Sequence, residues 1–135
     1  ARPLLDSHPF DWLRMLSAVL GRTVLDSAAA QGLGLVHATI TAEDVADLRR
    51  EDVDSVINII RGTREAEVAA VLRQLGADRW SGSLRAIGRV DVSAAARALG
   101  GGGHRLAAGF TANGSAEDIL ARLRRELDRA PLLGE

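Results

Sequence analysis

Four consecutive glycines, Gly100–Gly103, followed by His104, constrain the fold of this chain more than any other sequence feature. Glycine loses more backbone freedom on folding than any other residue, so an ordered run of it is costly. An interaction that only a backbone without side chains can make must therefore offset that entropic cost. The residues leave two explanations open. Successive N–H groups could converge into a nest that binds an anion, or the run could be a tight helix-to-strand turn beside the small residues Ala107–Gly109.

The glycine run lacks the signatures of two common nucleotide-binding loops. No Lys-Ser or Lys-Thr follows it, as a P-loop requires, and the third glycine of GxGxxG is absent in every register. The histidines and acidic residues show no metal-ligand spacing such as HExxH, and no nucleophile elbow accompanies a serine. We therefore expect neither a metal site nor a catalytic residue within this chain.

Length and composition bound the class of protein. The chain has 135 residues, which suits one domain with its own core, and no cysteine, which excludes disulfides and thiolate metal sites. No apolar run approaches the roughly 20 residues that span a bilayer. We expect a cytoplasmic protein that has no membrane partner, and we expect Ala1 to be the cut edge of a longer chain.

Charge is unevenly distributed along the chain. Residues 41–54 carry six acidic side chains against two arginines, whereas residues 79–105 carry five arginines against one aspartate. The second segment is therefore the candidate for meeting an anion.

An arginine lies inside an apolar, alternating segment of that basic region. Residues 80–87 alternate with period two, which predicts a strand with Ser83, Arg85 and Ile87 on one face and Leu84 and Ala86 on the other. A charge within an apolar strand needs a partner. The residues leave open whether Arg85 pairs with a carboxylate such as Asp91 or binds a phosphate.

Hydrophobic periodicity and capping residues predict helices that alternate with strands. Segment 66–75 also contains helix-forming alanine and leucine, but its pairing with 80–87 across a short turn favours a hairpin. The elements interleave without βαβ regularity, so we predict an α/β to α+β fold, with a mixed sheet of about four or five strands flanked by helices. The predicted strands are 23–25, 35–40, 66–75, 80–87 and 106–112. The first predicted helix is capped by Asp6 or Ser7, contains Pro9 in its first turn and ends before Gly21. The other predicted helices are 41–50, capped by Thr41 with Asp44; 52–61; one ending at Leu99, capped by Asp91 or Ser93; and one following the cap Ser115, with Ile119, Leu120, Leu123 and Leu127 facing inward.

Three blocks of the sequence resemble a known family when they are taken together. They are Ser83–Arg85, then Gly88–Ala94, then the GGGGHRLAAGF block at 100–110. In this order and at these spacings they are similar to the DHH-associated C-terminal domain of DHH-family phosphoesterases, above all the RecJ-like bacterial oligoribonuclease and pAp phosphatase branch. Residues 67–69 and the helix of residues 2–20 match more softly, the latter resembling an interdomain linker. On this resemblance residues 1–21 are a linker helix and residues 22–135 the substrate-binding domain.

The resemblance implies a function that is shared with a second domain. In that family a separate amino-terminal DHH domain holds two Mn²⁺ ions and hydrolyses the substrate, and this chain contains no Asp-His-His signature. The chain would bind short oligoribonucleotides, pAp, or linear or cyclic dinucleotides through their phosphates and present them to those metals. The residues assigned to phosphate and nucleotide binding by this resemblance are Arg85, Gly101, Gly102, Gly103, His104 and, as a weaker candidate, Ser83.

One position departs from the family pattern. Ala86 stands where many relatives have a polar residue, so a contact from that position is missing.

Two other functions stay open. A non-catalytic RNA- or tRNA-binding module, like the related domain of alanyl-tRNA synthetases, also carries a glycine-rich run, although His104 and the following Ala-Ala-Gly fit the phosphoesterases better. An assembly role is the third, because the amino-terminal helix could pack against a second copy of the chain in a homodimer.

Overall fold

The computed structural model describes residues 10–44 and 50–134 of the chain. Within these residues a six-stranded mixed sheet is flanked by helices on both faces, which confirms the predicted fold class with one strand more than expected. The elements are α1 (Phe10–Gly21), β1 (Val24–Asp26), β2 (Leu35–Ile40), α2 (Arg50–Ile60), β3 (Val68–Gly76), β4 (Arg79–Ala86), α3 (Val92–Ala98), β5 (Gly102–His104), β6 (Ala107–Asn113) and α4 (Ala116–Arg129).

The strands are ordered β1-β2-β3-β4-β6-β5 across the sheet. β2 and β3 pair in parallel, while the other neighbours in the described sheet are antiparallel. The predicted β3–β4 hairpin is confirmed, and its alanines explain why helix propensity does not win. Ala69 is buried on one face of the sheet and Ala70 on the other, so small side chains on both sides of β3 allow close packing.

Two apolar clusters hold the helices against the sheet. On one face α3 and α4 cover β2, β3, β4 and β6, and the inward residues Ile119, Leu123 and Leu127 of α4 are fully buried. On the other face α1 and α2 pack on β2 and β3. Among the described residues, none of the buried side chains of this second cluster comes from β4, β5 or β6. That half of the face is therefore left for polar residues.

Capping follows the sequence where the structure describes it. The Asp91 carboxylate accepts from the Ser93 amide at the start of α3, and the Ser115 hydroxyl accepts from the Asp118 amide at the start of α4. Asp44 accepts from the Thr41 amide at 2.7 Å, which is one of the two hydrogen bonds of a capping box. The rest of the helix predicted over 41–50 includes residues 45–49, and the caps Asp6 and Ser7 precede residue 10, so these predictions lie outside the described residues.

Candidate functional site

The first two glycines of the run end helix α3. Gly100 has φ +92°, and its amide donates to the Arg97 carbonyl at 3.0 Å. The Gly101 amide donates to the Ala96 carbonyl at 2.8 Å. This pair of bonds is a Schellman motif, which satisfies the last carbonyls of a helix. Of the two explanations for the run, the turn therefore accounts for these two amides, because both donate hydrogen bonds within the fold.

Close backbone packing explains a further part of the run. A Cβ on Gly101 would lie 2.0 Å from the Gly109 carbonyl oxygen, and one on Gly103 would lie 2.6 Å from Ala108 Cα. Gly103 also has φ +142°. The tight-turn explanation therefore holds at these positions. Gly102 differs, because a Cβ there would meet nothing within 4 Å and its φ lies outside the left-handed region.

Converging amides do bind an anion in this fold, but elsewhere. The buried Glu67 carboxylate accepts hydrogen bonds from the amides of Gly88, Arg89 and Val90, at 2.8, 2.7 and 3.3 Å. Gly88 begins the second of the three blocks that carry the family resemblance. This turn is therefore held by the chain's own carboxylate and serves the fold.

The strand register brings four of the predicted site residues to one face of the sheet. Ser83 pairs with Gly109, which pairs with Gly102, and Arg85 pairs with Ala107, which pairs with His104. Paired residues of antiparallel strands share a face. The two rows are therefore neighbours, about 7 Å apart along the strands. The predicted alternation of β4 is confirmed, because Leu84 and Ala86 are buried on the opposite face.

A groove of about 500 Å³ runs over this uncovered half of the sheet. We call it the sheet groove. The Val53–Asp54 segment of α2 forms one wall, and the hydroxyl side chains of Ser81, Ser83 and Thr111 line it. Bare backbone at Gly102 and Gly109 keeps part of it open. The lining residues are Val53, Asp54, Arg73, Leu75, Ser81, Gly82, Ser83, Gly102, Gly109, Phe110 and Thr111.

Arg85 lies beside Ser83 on this face, and its contacts exclude one of the two predicted partners. Its Nη1 donates to the Leu84 carbonyl at 2.9 Å, and its Nη2 lies 3.7 Å from the Asp54 carboxylate. Pairing with Asp91 is wrong, because that carboxylate caps α3. Burial alone would raise the pKa of Asp91, but hydrogen bonds from Ser93 and the Ala94 amide and the charge of Arg97 hold it below its usual value.

A second depression of about 580 Å³ adjoins the β5–β6 turn. We call it the hairpin hollow, and Arg97 donates to the Ser93 hydroxyl at its edge. Gly103 borders the hollow rather than the sheet groove, whereas His104 borders it while sharing the register row of Arg85. Of the six predicted residues, Ser83 and Gly102 thus line the sheet groove, Gly103 and His104 line the hairpin hollow, and Arg85 and Gly101 line neither. The lining of the hollow is Asp91, Ser93, Arg97, Gly103, His104, Arg105 and Leu106.

The sequence did not predict four polar residues of the sheet groove: Ser81, Arg73, Thr111 and Asp54. Arg73 and Thr111 share a register row with Ser81, so strand alternation continued into β3 and β6 would have found them. Asp54 lies on a helix, and nothing in the sequence indicates that it approaches β4. Within the described residues, no group of three or more His, Cys, Asp or Glu side chains could hold a metal ion, and no helix is long and apolar enough to cross a membrane.

Residues 35–129 match the model of the DHHA1 domain family, and this match extends from β2 to the end of α4. The chain belongs to the DHHA1 domain family. The matched residues include every residue that lines the sheet groove and the hairpin hollow, together with the glycine run. The DHHA1 domain therefore contains the whole candidate site.

Solved structures share the fold of this DHHA1 domain. An exopolyphosphatase-related protein from Bacteroides fragilis superposes with a TM-score of 0.78 at 20% identity, over 92% of this chain and 36% of its own. The C-Ala domain of Aquifex aeolicus alanyl-tRNA synthetase gives 0.55 at 13% identity, over 71% of this chain and 92% of its own. A DHH domain from a member of a family of ribosomal proteins gives 0.54 at 16% identity, over 89% of this chain and 31% of its own. The chain therefore spans about a third of the first and third of these proteins.

Proposed function

We propose that this DHHA1 domain is the substrate-binding part of a DHH-family phosphodiesterase. It binds the phosphates of short oligoribonucleotides, pAp, or linear or cyclic dinucleotides, and presents them to two Mn²⁺ ions in a separate DHH domain of the parent protein. The observation that carries the proposal is the convergence of Arg85, Ser83 and Gly102 on the uncovered half of the sheet, with His104 in the row of Arg85.

The chemistry of the groove suits a nucleotide phosphate. Arg85, in the row beside the groove, supplies a planar cation, while Ser83 in the lining supplies a hydroxyl and Gly102 lets a ligand approach the backbone. His104 lies in the row of Arg85, at the border of the hairpin hollow, and can donate a hydrogen bond from a ring nitrogen. These groups fix a phosphate in position, which is how a binding domain contributes to the rate of a reaction carried out elsewhere. The metals of the DHH domain would supply the activated water.

The comparisons support the proposal at the level of the domain. The fold recurs as 36% of the exopolyphosphatase-related protein, which leaves most of that longer chain for other parts. A similar arrangement in the parent of this chain would provide the DHH domain that the sequence resemblance implies. Alone, the DHHA1 domain would bind nucleotides weakly and hydrolyse nothing.

Titration of pAp and of a dinucleotide against the wild type, Arg85→Ala and His104→Ala tests the proposal. Loss of a charge-assisted hydrogen bond costs about 1.5 to 3 kcal/mol, so each variant should bind about 10- to 150-fold more weakly. Arg129→Ala is the matched control, because Arg129 lies on α4 with a side chain that is 72% exposed. Equal affinities in all four proteins would remove both side chains from the site.

A non-catalytic RNA-binding module is the second candidate. It is favoured by the similarity to the C-Ala domain, which extends over 92% of that domain. The two candidates differ in the ligand that the sheet groove should prefer. Tight binding of an RNA hairpin, unchanged in Arg85→Ala, together with undetectable binding of dinucleotides, would favour the RNA-binding module.

A further inference from the structure

Asp54 places a negative charge beside the arginine that is proposed to bind phosphate. It lies one residue after Val53, which is buried in the core between α2 and the sheet, so its side chain is at the edge of α2 that borders β4. Its carboxylate is 3.7 Å from Arg85 Nη2, and both side chains are partly exposed, at 48% for Asp54 and 24% for Arg85.

The fold gains little from this contact. An ion pair at that distance between partly exposed groups contributes little to stability. Within the described residues, Arg85 is the group with which Asp54 forms an ion pair. The other charged residue of the lining, Arg73, lies in the row of Ser81, two rows along the sheet from Arg85, and the lining near Ser83 otherwise contains hydroxyl side chains and bare glycine backbone. Asp54 and Arg85 therefore set the local charge at this end of the groove, and the two cancel.

A phosphate that binds Arg85 must lie near the Asp54 carboxylate. The repulsion between them scales with the charge of the phosphate. A terminal phosphomonoester carries about −1.5 to −2 at neutral pH, whereas an internal phosphodiester carries a single negative charge. Removal of Asp54 should therefore help a monoester more than a diester.

We propose that Asp54 is a specificity-determining residue that shifts the preference of the Arg85 subsite away from a terminal phosphomonoester and toward an internal phosphodiester. This inference rests on the proposed function, because it requires nucleotide phosphate to bind at Arg85. It deepens that function by selecting, among the candidate ligands, those that present a diester linkage to the groove.

The test compares two ligands that differ in one charge and one methyl group, AMP and the methyl ester of AMP. Both are titrated at about pH 8, where the monoester is fully dianionic, against the 135-residue chain. If each unit of ligand charge gains about threefold in affinity when the carboxylate is neutralised, Asp54→Asn should bind the methyl ester about threefold and AMP about tenfold more tightly. Glu117→Gln, at an exposed position in the first turn of α4, controls for the change in net charge.

A double variant locates the effect. In an Arg85→Ala background, Asp54→Asn should no longer change the ratio of the two affinities, because the phosphate has lost its subsite. Asp54→Ala is the second variant if the amide perturbs the helix. An unchanged ratio in both Asp54 variants, with the wild type binding both ligands, overturns the inference and leaves the proposed function intact. Weaker binding in a folded Asp54 variant would make Asp54 a direct ligand contact and overturn it too. Failure of the wild type to bind either ligand overturns both.

Discussion

Gly102 is the one glycine of the run that the fold does not require. A substitution there can therefore change ligand binding without lowering the stability of the domain. Gly101 and Gly103 each lie against backbone atoms, and Gly100 has a positive φ. Gly102 lies in the edge strand β5 with open space at its Cβ position, on the row of Gly109 and Ser83. We predict that Gly102→Ala keeps the fold and obstructs the sheet groove.

The expected magnitudes follow from these contacts. An alanine at Gly102 removes the entropic cost of glycine in a strand, which should stabilise the domain by about 0.5 to 1 kcal/mol. The same change at Gly101 brings a methyl group within 2.0 Å of the Gly109 carbonyl oxygen. Forced overpacking of this kind costs about 1 to 3 kcal/mol. The two variants should therefore differ by about 1.5 to 4 kcal/mol, which at about 4 °C per kcal/mol is about 6 to 16 °C in Tm.

The assay pairs thermal unfolding with nucleotide titration of each variant. Gly102→Ala should unfold at or above the wild-type Tm and bind a dinucleotide less tightly, and Gly102→Val should lose more than tenfold, about 1.4 kcal/mol. Gly21→Ala is the matched control, because its Cβ position is also open and it lies at the end of α1, outside the groove lining. A Tm for Gly102→Ala as low as that of Gly101→Ala would refute the assignment of open space. Unchanged affinity in a folded Gly102→Val would refute its role in the groove.

Two further predictions concern stability. Glu67→Ala should lower the free energy of unfolding in urea by about 2 kcal/mol, because the amides of residues 88–90 lose their acceptor; a value within about 0.5 kcal/mol of the wild type would contradict this. Burial lowers the pKa of His37 from 6.5, with Arg124 acting in the same direction and Asp26 against it. The unfolded chain therefore takes up the proton first, so stability should fall as the pH drops below about 6.5. His37→Gln should flatten the Tm profile between about pH 5 and pH 7, and an unchanged slope would exclude His37 as its source.

Most of the secondary structure could be predicted from the sequence because local signals were consistent. Strand β2 has the predicted bounds of 35–40, and the caps Asp91 and Ser115 lie where the capping residues indicated. Strand β5 was missed because two of its three residues are glycines, which have no strand propensity. β5 pairs with β6 because the glycines let the two backbones approach closely. This tertiary contact cannot be read from a short segment of sequence.

The candidate site could be predicted only as a set of residues. Sequence alternation placed Ser83 and Arg85 on one face, and the structure adds that this half of the face is uncovered, because the buried side chains of α1 and α2 pack on β2 and β3 while α2 only borders β4. The sequence indicated converging amides in the run at 100–103 because glycine content was the signal for them. Helix termination uses the Gly100 and Gly101 amides, whereas the amides that converge on a carboxylate follow Gly88.

Charge counted along the sequence did not predict the charge of the groove. Asp54 closes the acidic segment 41–54 and Arg85 lies in the basic segment 79–105, yet α2 brings the two side chains within 3.7 Å of each other. Exposed charges are screened over about 8 to 10 Å in physiological salt, so a contact at this distance outweighs the balance of either segment. The basic segment should therefore not act as a general anion attractor at Arg85. Discrimination between ligands at this subsite then depends on where the paired carboxylate lies relative to the phosphate charge, which is set by the packing of α2 on β3.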